Sequence, residues 1–288
     1  MKKTGLYIFL ITLGVQLFTA CTERMQIDLP ESAKKLVVEA YLFPGDSASW
    51  VRLTESANYF SNQPPKAVTH ASVKLDDGQG SVWEFNNLDT DSSIYSLPAQ
   101  TFEPETSKVY HLDIRMNQPL GGHTHFESTT MLPPLRIHAD SIAIDYAPDI
   151  EKWMVRLYAL DPLGKDFYLF NSRVNGHCIT DSVQRKVVRS DVYFDGRYLP
   201  GAIVQVLNKD ELKIGDQYEL IISEISEAYY HYLSDLQAET ETKNPIFSGP
   251  PANVQGNITD GALGFFTAFS STSMRVVLKG PSLSAKNP

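Results

Sequence analysis

The sequence contains only two cysteines, Cys21 and Cys178. Two cysteines allow at most one intramolecular disulfide, which excludes a small scaffold held together by several bridges. The chain also lacks a phosphate-binding loop of the Gly-x-x-x-x-Gly-Lys-Ser/Thr type, a His-Glu-x-x-His motif and a Gly-x-Ser-x-Gly motif. The usual signatures of nucleotide hydrolases, zinc proteases and serine esterases are therefore absent from this sequence.

Basic residues are also scarce, with 25 Lys and Arg against 34 Asp and Glu and a net charge of −9. Residues 1–20 contain two lysines and no acid, so the rest of the chain has 23 basic and 34 acidic residues and a net charge of −11. A body of this charge is repelled by nucleic acid and by anionic lipid headgroups. We expect no nucleic-acid partner, and any attachment to a membrane must come from another source.

Long apolar runs are missing except near the N-terminus. Lys2 and Lys3 precede an apolar stretch over residues 6–18, and Thr19-Ala20 then places small residues before Cys21. This is the three-part order of a secretory signal. The apolar stretch is shorter than the about 20 residues that a spanning helix needs. The pattern predicts a signal peptide over residues 1–20.

A small residue followed directly by cysteine is typical of a lipoprotein signal. The Cys21 thiol would receive a diacylglycerol and become the first residue of the mature chain, followed by a tether over residues 21–30. Each buried methylene of the acyl chains contributes about 0.8 kcal/mol, so several chains give a stable anchor in a bilayer. Phe18 stands where leucine is usual, and the alternative is an ordinary signal peptide with an incidental cysteine.

The rest of the chain shows apolar residues at every second position, in short runs separated by Gly, Pro, Asn and Asp. This alternation is typical of strands with one buried face. Asp77-Gly78 between two such runs favours a tight hairpin. The sequence predicts a mainly β fold. The runs that alternate most clearly lie at residues 36–42, 110–116, 153–159, 202–206 and 218–222.

The predicted architecture is an immunoglobulin-like β-sandwich over residues 31–132, followed by a second β-rich unit over 135–280. The boundary rests on Pro133-Pro134, because two prolines interrupt ladder hydrogen bonding. The second unit includes one helix at about 225–239, whose apolar residues recur at helical spacing. Its aromatic residues favour packing on a sheet, and the alternative is the lining of a ligand groove. Residues 281–288 are predicted to be a polar tail.

The chain resembles the lipoproteins called domain of unknown function 4249, found in Bacteroidota-type bacteria. The resemblance begins at Cys21 and follows several segments in order. The one that carries most weight is the block of Pro250-Pro251, Gly256-Asn257 and Leu263-Gly-Phe-Phe266. Further matching segments are Lys35–Ala40, Ala71–Leu75, Ser190–Gly196, Ile214–Leu220 and Ile225–Leu233. The resemblance implies an outer-membrane lipoprotein of a kind often encoded beside TonB-dependent receptors, and it brings no catalytic residues. We therefore expect a TonB-dependent receptor as partner and no cofactor.

Three amides in this block, Asn253, Gln255 and Asn257, are candidate binding residues. An amide side chain both donates and accepts hydrogen bonds, so a loop carrying three of them suits contact with a partner or ligand. The alternative, which we favour, is a long crossover packed over the helix, whose amides satisfy backbone groups.

Two further candidate sites come from short patterns. His123 and His125 lie at i and i+2, so on a strand they would share a face and offer two nitrogen ligands to zinc or copper. The alternative is a solvated pair on an edge or loop. Asp46-Ser47-Ala48 matches a pattern used for O-glycosylation, with Ser47 as the acceptor.

The sequence thus predicts a non-enzymatic accessory or binding lipoprotein of the outer membrane without a cofactor. The side of that membrane that it faces is left open. One alternative is a surface module for adhesion or for binding a glycan or peptide. Another is a hydrolase with an unfamiliar site, which requires several histidines and carboxylates to converge in one cleft.

Overall fold

A computed structural model describes residues 33–57, 63–87, 92–240 and 254–279. These residues fall within one compact unit, Ala33–Pro288. The predicted signal peptide, Cys21, the tether and the polar tail lie outside the described residues. Among the described residues no helix is both long and apolar enough to cross a membrane.

The first seven strands of the described residues, together with a later strand that follows residue 260, form two four-stranded sheets. The order is β15-β1-β2-β5 in one sheet and β4-β3-β6-β7 in the other. The strands are β1 (Leu36–Leu42), β2 (Ser49–Glu55), β3 (Ala71–Asp76), β4 (Val82–Phe85), β5 (Ile94–Leu97), β6 (Val109–Leu120), β7 (His123–Met131) and β15 (Leu263–Ala268).

The two sheets enclose one apolar core, which makes this part of the chain a β-sandwich. On β1 the side chains are alternately buried and half-buried, as expected for a strand with one face on a core. Val38 and Leu53 from one sheet and Leu75 and Leu112 from the other belong to the same buried cluster. The alternation in the sequence therefore reports the inner face of this sandwich correctly.

The remaining strands form a second sandwich of a three-stranded and a five-stranded sheet. The order is β13-β9-β8 in the smaller sheet and β11-β10-β14-β16 in the larger one, where β12 also pairs with β10. The strands are β8 (His138–Ala147), β9 (Lys152–Leu160), β10 (Phe167–Val174), β11 (His177–Cys178), β12 (Val187–Ser190), β13 (Tyr198–Asn208), β14 (Gln217–Glu224) and β16 (Ser270–Val277).

One α-helix, α1 (Glu227–Thr240), covers the outer face of the larger sheet of the second sandwich. Tyr229 and Leu233 of the helix are buried in a third apolar cluster with Phe167 and Leu169 of β10. Their neighbours on the same strand, such as Phe170, point into the core of the second sandwich instead. Strand β10 therefore has four consecutive buried residues, because it is covered on both faces.

Strand β15 joins the two sandwiches. It pairs in parallel with β1, in the register Val38↔Gly264, and β16 begins after a single intervening residue, Phe269. Phe266 packs in the core of the first sandwich, and Phe265 packs in the cluster beneath the helix. One continuous stretch of chain thus belongs to sheets of both sandwiches.

This strand corrects the predicted ranges. The range 135–280 assigned to the second unit contains β15, which is an edge strand of the sheet that begins with β1. The cause is a pairing between segments more than two hundred residues apart, which local alternation does not encode. The mainly β fold is confirmed, with one packed helix among the described residues.

Candidate functional site

A cleft of about 680 Å³ lies where the two sandwiches and the helix meet. Its walls are the outer face of β1 and β2, the outer face of β10, β14 and β16, and one side of α1. The sheet walls are the outer faces of strands whose inner faces are buried in the two sandwich cores, and α1 packs on them through Tyr229 and Leu233. The walls are therefore fixed by packing that is independent of any occupant.

Aromatic rings line the cleft on both its β1–β2 side and its helix side. Tyr41 and Trp50 lie side by side on β1 and β2, with ring centroids 4.7 Å apart. On the helix side, the rings of Tyr232 and Phe265 are 4.9 Å apart. The Tyr41 hydroxyl is 3.4 Å from that of Tyr229, across the junction of sheet and helix. Contact with flat aromatic faces suits sugar rings, proline and other side chains of an extended peptide.

Several of the charged side chains that line the cleft are paired with one another. Arg52 Nη1 lies 2.9 Å from Glu39 Oε2, and its guanidinium stands 5.4 Å from the centre of the Trp50 ring. Glu219 accepts from Arg275 at 2.9 Å and lies 3.6 Å from Arg173. Burial opposes ionisation of Glu219, but the arginine contacts outweigh it and lower the pKa of this carboxyl. These ion pairs present hydrogen-bonding groups at fixed positions.

Lys186 and Cys178 lie at the end of the cleft near β11 and β12. Burial lowers the pKa of the Lys186 ammonium, and its Nζ donates to the carbonyl of Thr180 at 3.3 Å. The Cys178 thiol is free and exposed, with Thr180 Oγ1 at 3.8 Å. None of the described histidines is among the residues that line the cleft. The lining therefore offers surfaces and charges for binding. His177 precedes Cys178 in the chain but does not line the cleft.

Of the residues singled out from the sequence, Ser47 lines this cleft. It is exposed in the turn between β1 and β2. Asn253 lies outside the described residues. Gln255 is exposed and does not line the cleft.

Asn257 uses its side-chain amide on the backbone of neighbouring strands. Its Oδ1 accepts from the Phe266 amide at 2.8 Å, and its Nδ2 donates to the Phe266 carbonyl at 2.8 Å and to the Thr129 carbonyl at 3.3 Å. The Asn257 carbonyl in turn accepts from the Ser128 hydroxyl at 2.8 Å. The residue thereby links β15 to β7 through bonds to backbone groups. The crossover interpretation places this segment over the helix, whereas these bonds lie in the first sandwich.

The two histidines of β7 have different surroundings. His123 Nδ1 is 3.6 Å from a carboxylate oxygen of Asp260. His125 Nε2 is 2.6 Å from Asp113 Oδ2, and with Glu127 these two residues place three metal-ligand atoms within 4.8 Å of one another. The Asp113 carboxylate is also bound by Arg115 on the exposed face of the sheet. The possible ligand group around His125 therefore does not include His123, and Arg115 already provides a positive charge beside it.

Sequence reasoning missed most of the cleft. Glu39, Tyr41 and Arg52 occupy the polar positions of their strands, where alternation predicts only an outward face. Nothing local indicates that another sheet and the helix stand opposite that face. The aromatic stripe of the helix did carry a signal, because Tyr229 and Tyr232 line the cleft, as the groove alternative for this helix requires.

The chain was compared with solved structures, with curated proteins and with protein families. Two solved structures are similar in fold at low scores. The FN1–FN3 domains of chicken CNTN1 give a TM-score of 0.27 at 9% identity, covering 87% of this chain and 68% of that chain. The chicken interferon gamma receptor alpha chain gives a TM-score of 0.20 at 7% identity, covering 67% and 89%. Scores this low carry no argument, and the fold class rests on the strand pairing described above.

No curated protein matches the chain. The family described as "Domain of unknown function (DUF4249)" matches residues 22–275. The resemblance inferred from the order of the sequence segments is thus confirmed. Since the match covers most of the sequence, the chain belongs to the DUF4249 family.

Proposed function

We propose that this protein is an outer-membrane lipoprotein, anchored through acylated Cys21, that acts without catalysis as an accessory of a TonB-dependent uptake receptor. The observation that carries the binding role is the cleft between the two sandwiches. Its rigid walls, its aromatic rings and its paired charges suit recognition of an extended segment of a partner. The anchor is supported by the signal pattern before Cys21 and the receptor by the family resemblance.

The anchor is tested separately from the cleft. Metabolic labelling with a palmitate analogue should label the wild-type chain, and the Cys21→Ser variant should lose the label and leave the membrane fraction. A Cys178→Ser variant is the matched control, because it removes the other cysteine and should keep both label and location. Membrane retention of Cys21→Ser at the wild-type level would contradict the lipid anchor.

The receptor contact is tested by cross-linking from inside the cleft. A photoreactive amino acid at position 232 should give a covalent adduct with an outer-membrane receptor, identified by mass spectrometry in native membranes. The same amino acid at position 146 is the control, since Tyr146 is 40% exposed and does not line the cleft. Equal adducts from both positions, or none from position 232, would count against the cleft as the contact surface.

A second candidate function is the binding of a glycan or peptide by the same cleft. The arrangement that favours it is Trp50 between the Tyr41 ring and the Arg52 guanidinium, a stacking platform beside a hydrogen-bond donor. Glycan and peptide arrays probed with the full chain should give hits that the Trp50→Ala variant loses. Trp153→Ala is the control, because Trp153 packs on Tyr146 outside the cleft. Arrays without hits would remove this candidate.

A further inference from the structure

A second group of chemistry-bearing residues lies at one end of the second sandwich, apart from the cleft. Asp161 follows β9, Asp166 precedes β10 and Asp191 follows β12. All three are buried, with 1%, 7% and 3% of their surface exposed. Each offers a carboxylate oxygen, and the three oxygens lie within 4.8 Å of one another. Three carboxylates are thus brought together away from water.

The negative charge of this group exceeds the positive charge around it. Glu224 at the end of β14 is also buried, and its Oε2 accepts from the backbone amide of Arg136. In the described part of the chain, Arg136 is the one cationic side chain that contacts these acids, through Asp166 Oδ1 at 2.8 Å. Buried carboxylates repel one another strongly, so such a group needs either protons or a bound cation.

Two carboxylate oxygens at this end of the sandwich have no protein partner. Asp166 Oδ2 and Glu224 Oε1 are fully buried, and neither has a hydrogen-bond partner among the described residues. Buried polar atoms in folded proteins nearly always have a partner, so each exception requires an explanation. One of the two atoms belongs to the three-carboxylate group itself. The missing hydrogen-bond partner is a separate observation from the proximity of the three carboxylates, and it points to a bound cation.

The other contacts fix the carboxylates without using up all of their oxygens. The Tyr168 hydroxyl donates to Asp161 Oδ1 at 2.6 Å, and the Gly196 amide donates to Asp161 Oδ2 at 3.1 Å. The Asp166 amide donates to Asp191 Oδ2 at 2.9 Å. A carboxylate oxygen that accepts one hydrogen bond keeps a lone pair for a metal ion.

The chemistry of the donors selects the ion. All are oxygen atoms, with no histidine or thiolate among them, and hard cations prefer such ligands. Two oxygens at about 2.4 Å from one Ca²⁺ ion, at an angle of about 90° to 120°, lie about 3.4 to 4.2 Å apart. The three oxygens lie within 4.8 Å of one another, a limit that includes this range. Mg²⁺ dehydrates reluctantly and demands near-ideal octahedral geometry, which suits a buried set of loop carboxylates less well.

We propose that Asp161, Asp166 and Asp191 form a calcium site that ties the β9–β10 loop to the β12–β13 loop. The ion would neutralise the buried charge and supply the missing partner of Asp166.

The first test measures the ion directly. The full chain, purified in detergent and stripped with EDTA, is equilibrated with CaCl₂, desalted and assayed for calcium by elemental mass spectrometry. We expect about one ion per wild-type chain and none in Asp166→Asn. This variant keeps an Oδ1 acceptor for Arg136 and is therefore expected to fold. Asp113→Asn, in the exposed group around His125, is the control and should retain the ion. Absence of calcium from the wild-type chain would overturn the proposal, as would equal loss in both variants.

The second test measures stabilisation. At a free calcium concentration about 100 times its Kd, the melting temperature of the wild-type chain should rise by about 5 to 10 °C relative to EDTA. Asp166→Asn and Asp191→Asn should show no rise, whatever their melting temperatures in EDTA. An undiminished rise in both variants would place the ion elsewhere and overturn the assignment.

Terbium luminescence tests whether the ion lies near Tyr168. Tb³⁺ replaces Ca²⁺ and emits when a close tyrosine is excited, and the Tyr168 hydroxyl already bonds to Asp161. Tyr168→Phe should lose most of the sensitised emission while calcium binding is retained. Full emission from Tyr168→Phe would contradict the location.

Discussion

Gly264 is the position where one added methyl group should damage the fold most clearly. The residue lies on β15 opposite Val38 of β1, with φ +99°, a conformation that residues with a side chain rarely adopt. A Cβ atom built there would lie 1.9 Å from the Val38 carbonyl oxygen. The obstacle is backbone within a paired strand and not the end of a flexible side chain, so it has little freedom to move aside.

The cost of Gly264→Ala follows from two terms. An alanine at positive φ costs about 1 to 3 kcal/mol. Relief of the contact requires the two strands to separate by about 1.5 Å, which weakens two or three ladder hydrogen bonds worth about 0.5 to 1.5 kcal/mol each. The sum is a loss of about 2 to 7 kcal/mol in the free energy of unfolding, a large share of the about 5 to 15 kcal/mol typical of a folded protein.

Urea unfolding followed by circular dichroism measures this loss, and Gly261→Ala supplies the control. Gly261 has a φ of +71°, but a Cβ atom there meets no heavy atom within 4 Å, so only the conformational cost applies. We expect the control to lose only the about 1 to 3 kcal/mol of that conformational cost in its free energy of unfolding. If the two variants were equally stable within about 0.5 kcal/mol, the parallel pairing of β1 with β15 would be refuted.

Further predictions concern the second sandwich and the crossover. Burial raises the pKa of Glu224 from 4.5 to about 7. The free energy of unfolding is therefore highest below pH 4.5 and falls as the pH rises from 4.5 to about 7, because the unfolded chain ionises this carboxyl first. Glu224→Gln should therefore gain about 2 to 4 kcal/mol at pH 8 in EDTA and flatten the pH dependence of urea unfolding, and an unchanged profile would refute this. Asn257→Ala should lower the free energy of unfolding by about 2 to 4 kcal/mol, because it removes three hydrogen bonds to the backbone. In the same assay, Gln255→Ala at an exposed position should change it by less than about 0.5 kcal/mol. Tyr218→Phe removes the 2.5 Å hydrogen bond to Ser172 in the second core and should lower the melting temperature by about 2 to 6 °C in calorimetry, while an unchanged temperature would show that this bond contributes nothing net.

Strand positions and faces could be predicted because they depend on local alternation. Leu36, Val38, Ala40 and Leu42 were predicted to share one face of a strand, and all four are fully buried in β1. The helix was predicted at about 225–239 and spans Glu227–Thr240, since its apolar spacing is also a local property. Alternation fails for β10, where four consecutive residues are buried, because the helix covers the face that a sheet alone would leave to solvent.

The candidate binding cleft could not be predicted in the same way. Its lining comes from strands, a turn and a helix that are distant in the chain, and a polar residue such as Glu39 looks like any solvated strand position. The same holds for the acidic group of Asp161, Asp166 and Asp191. Each aspartate alone fits a turn, where a carboxylate often caps backbone amides. Their convergence follows only from the pairing of β10 with β12 and the loops at that end.

The sequence by itself determined the mainly β class, the inner faces of the strands, the helix and the family, because periodicity and the order of motifs are written along the chain. The tertiary structure alone decided that β15 pairs with β1 and that two sandwiches and a helix enclose a cleft. It also decided that three aspartates meet in a buried group. Contacts between distant segments depend on how the sheets and the helix pack on one another. Local periodicity along the sequence does not encode that packing.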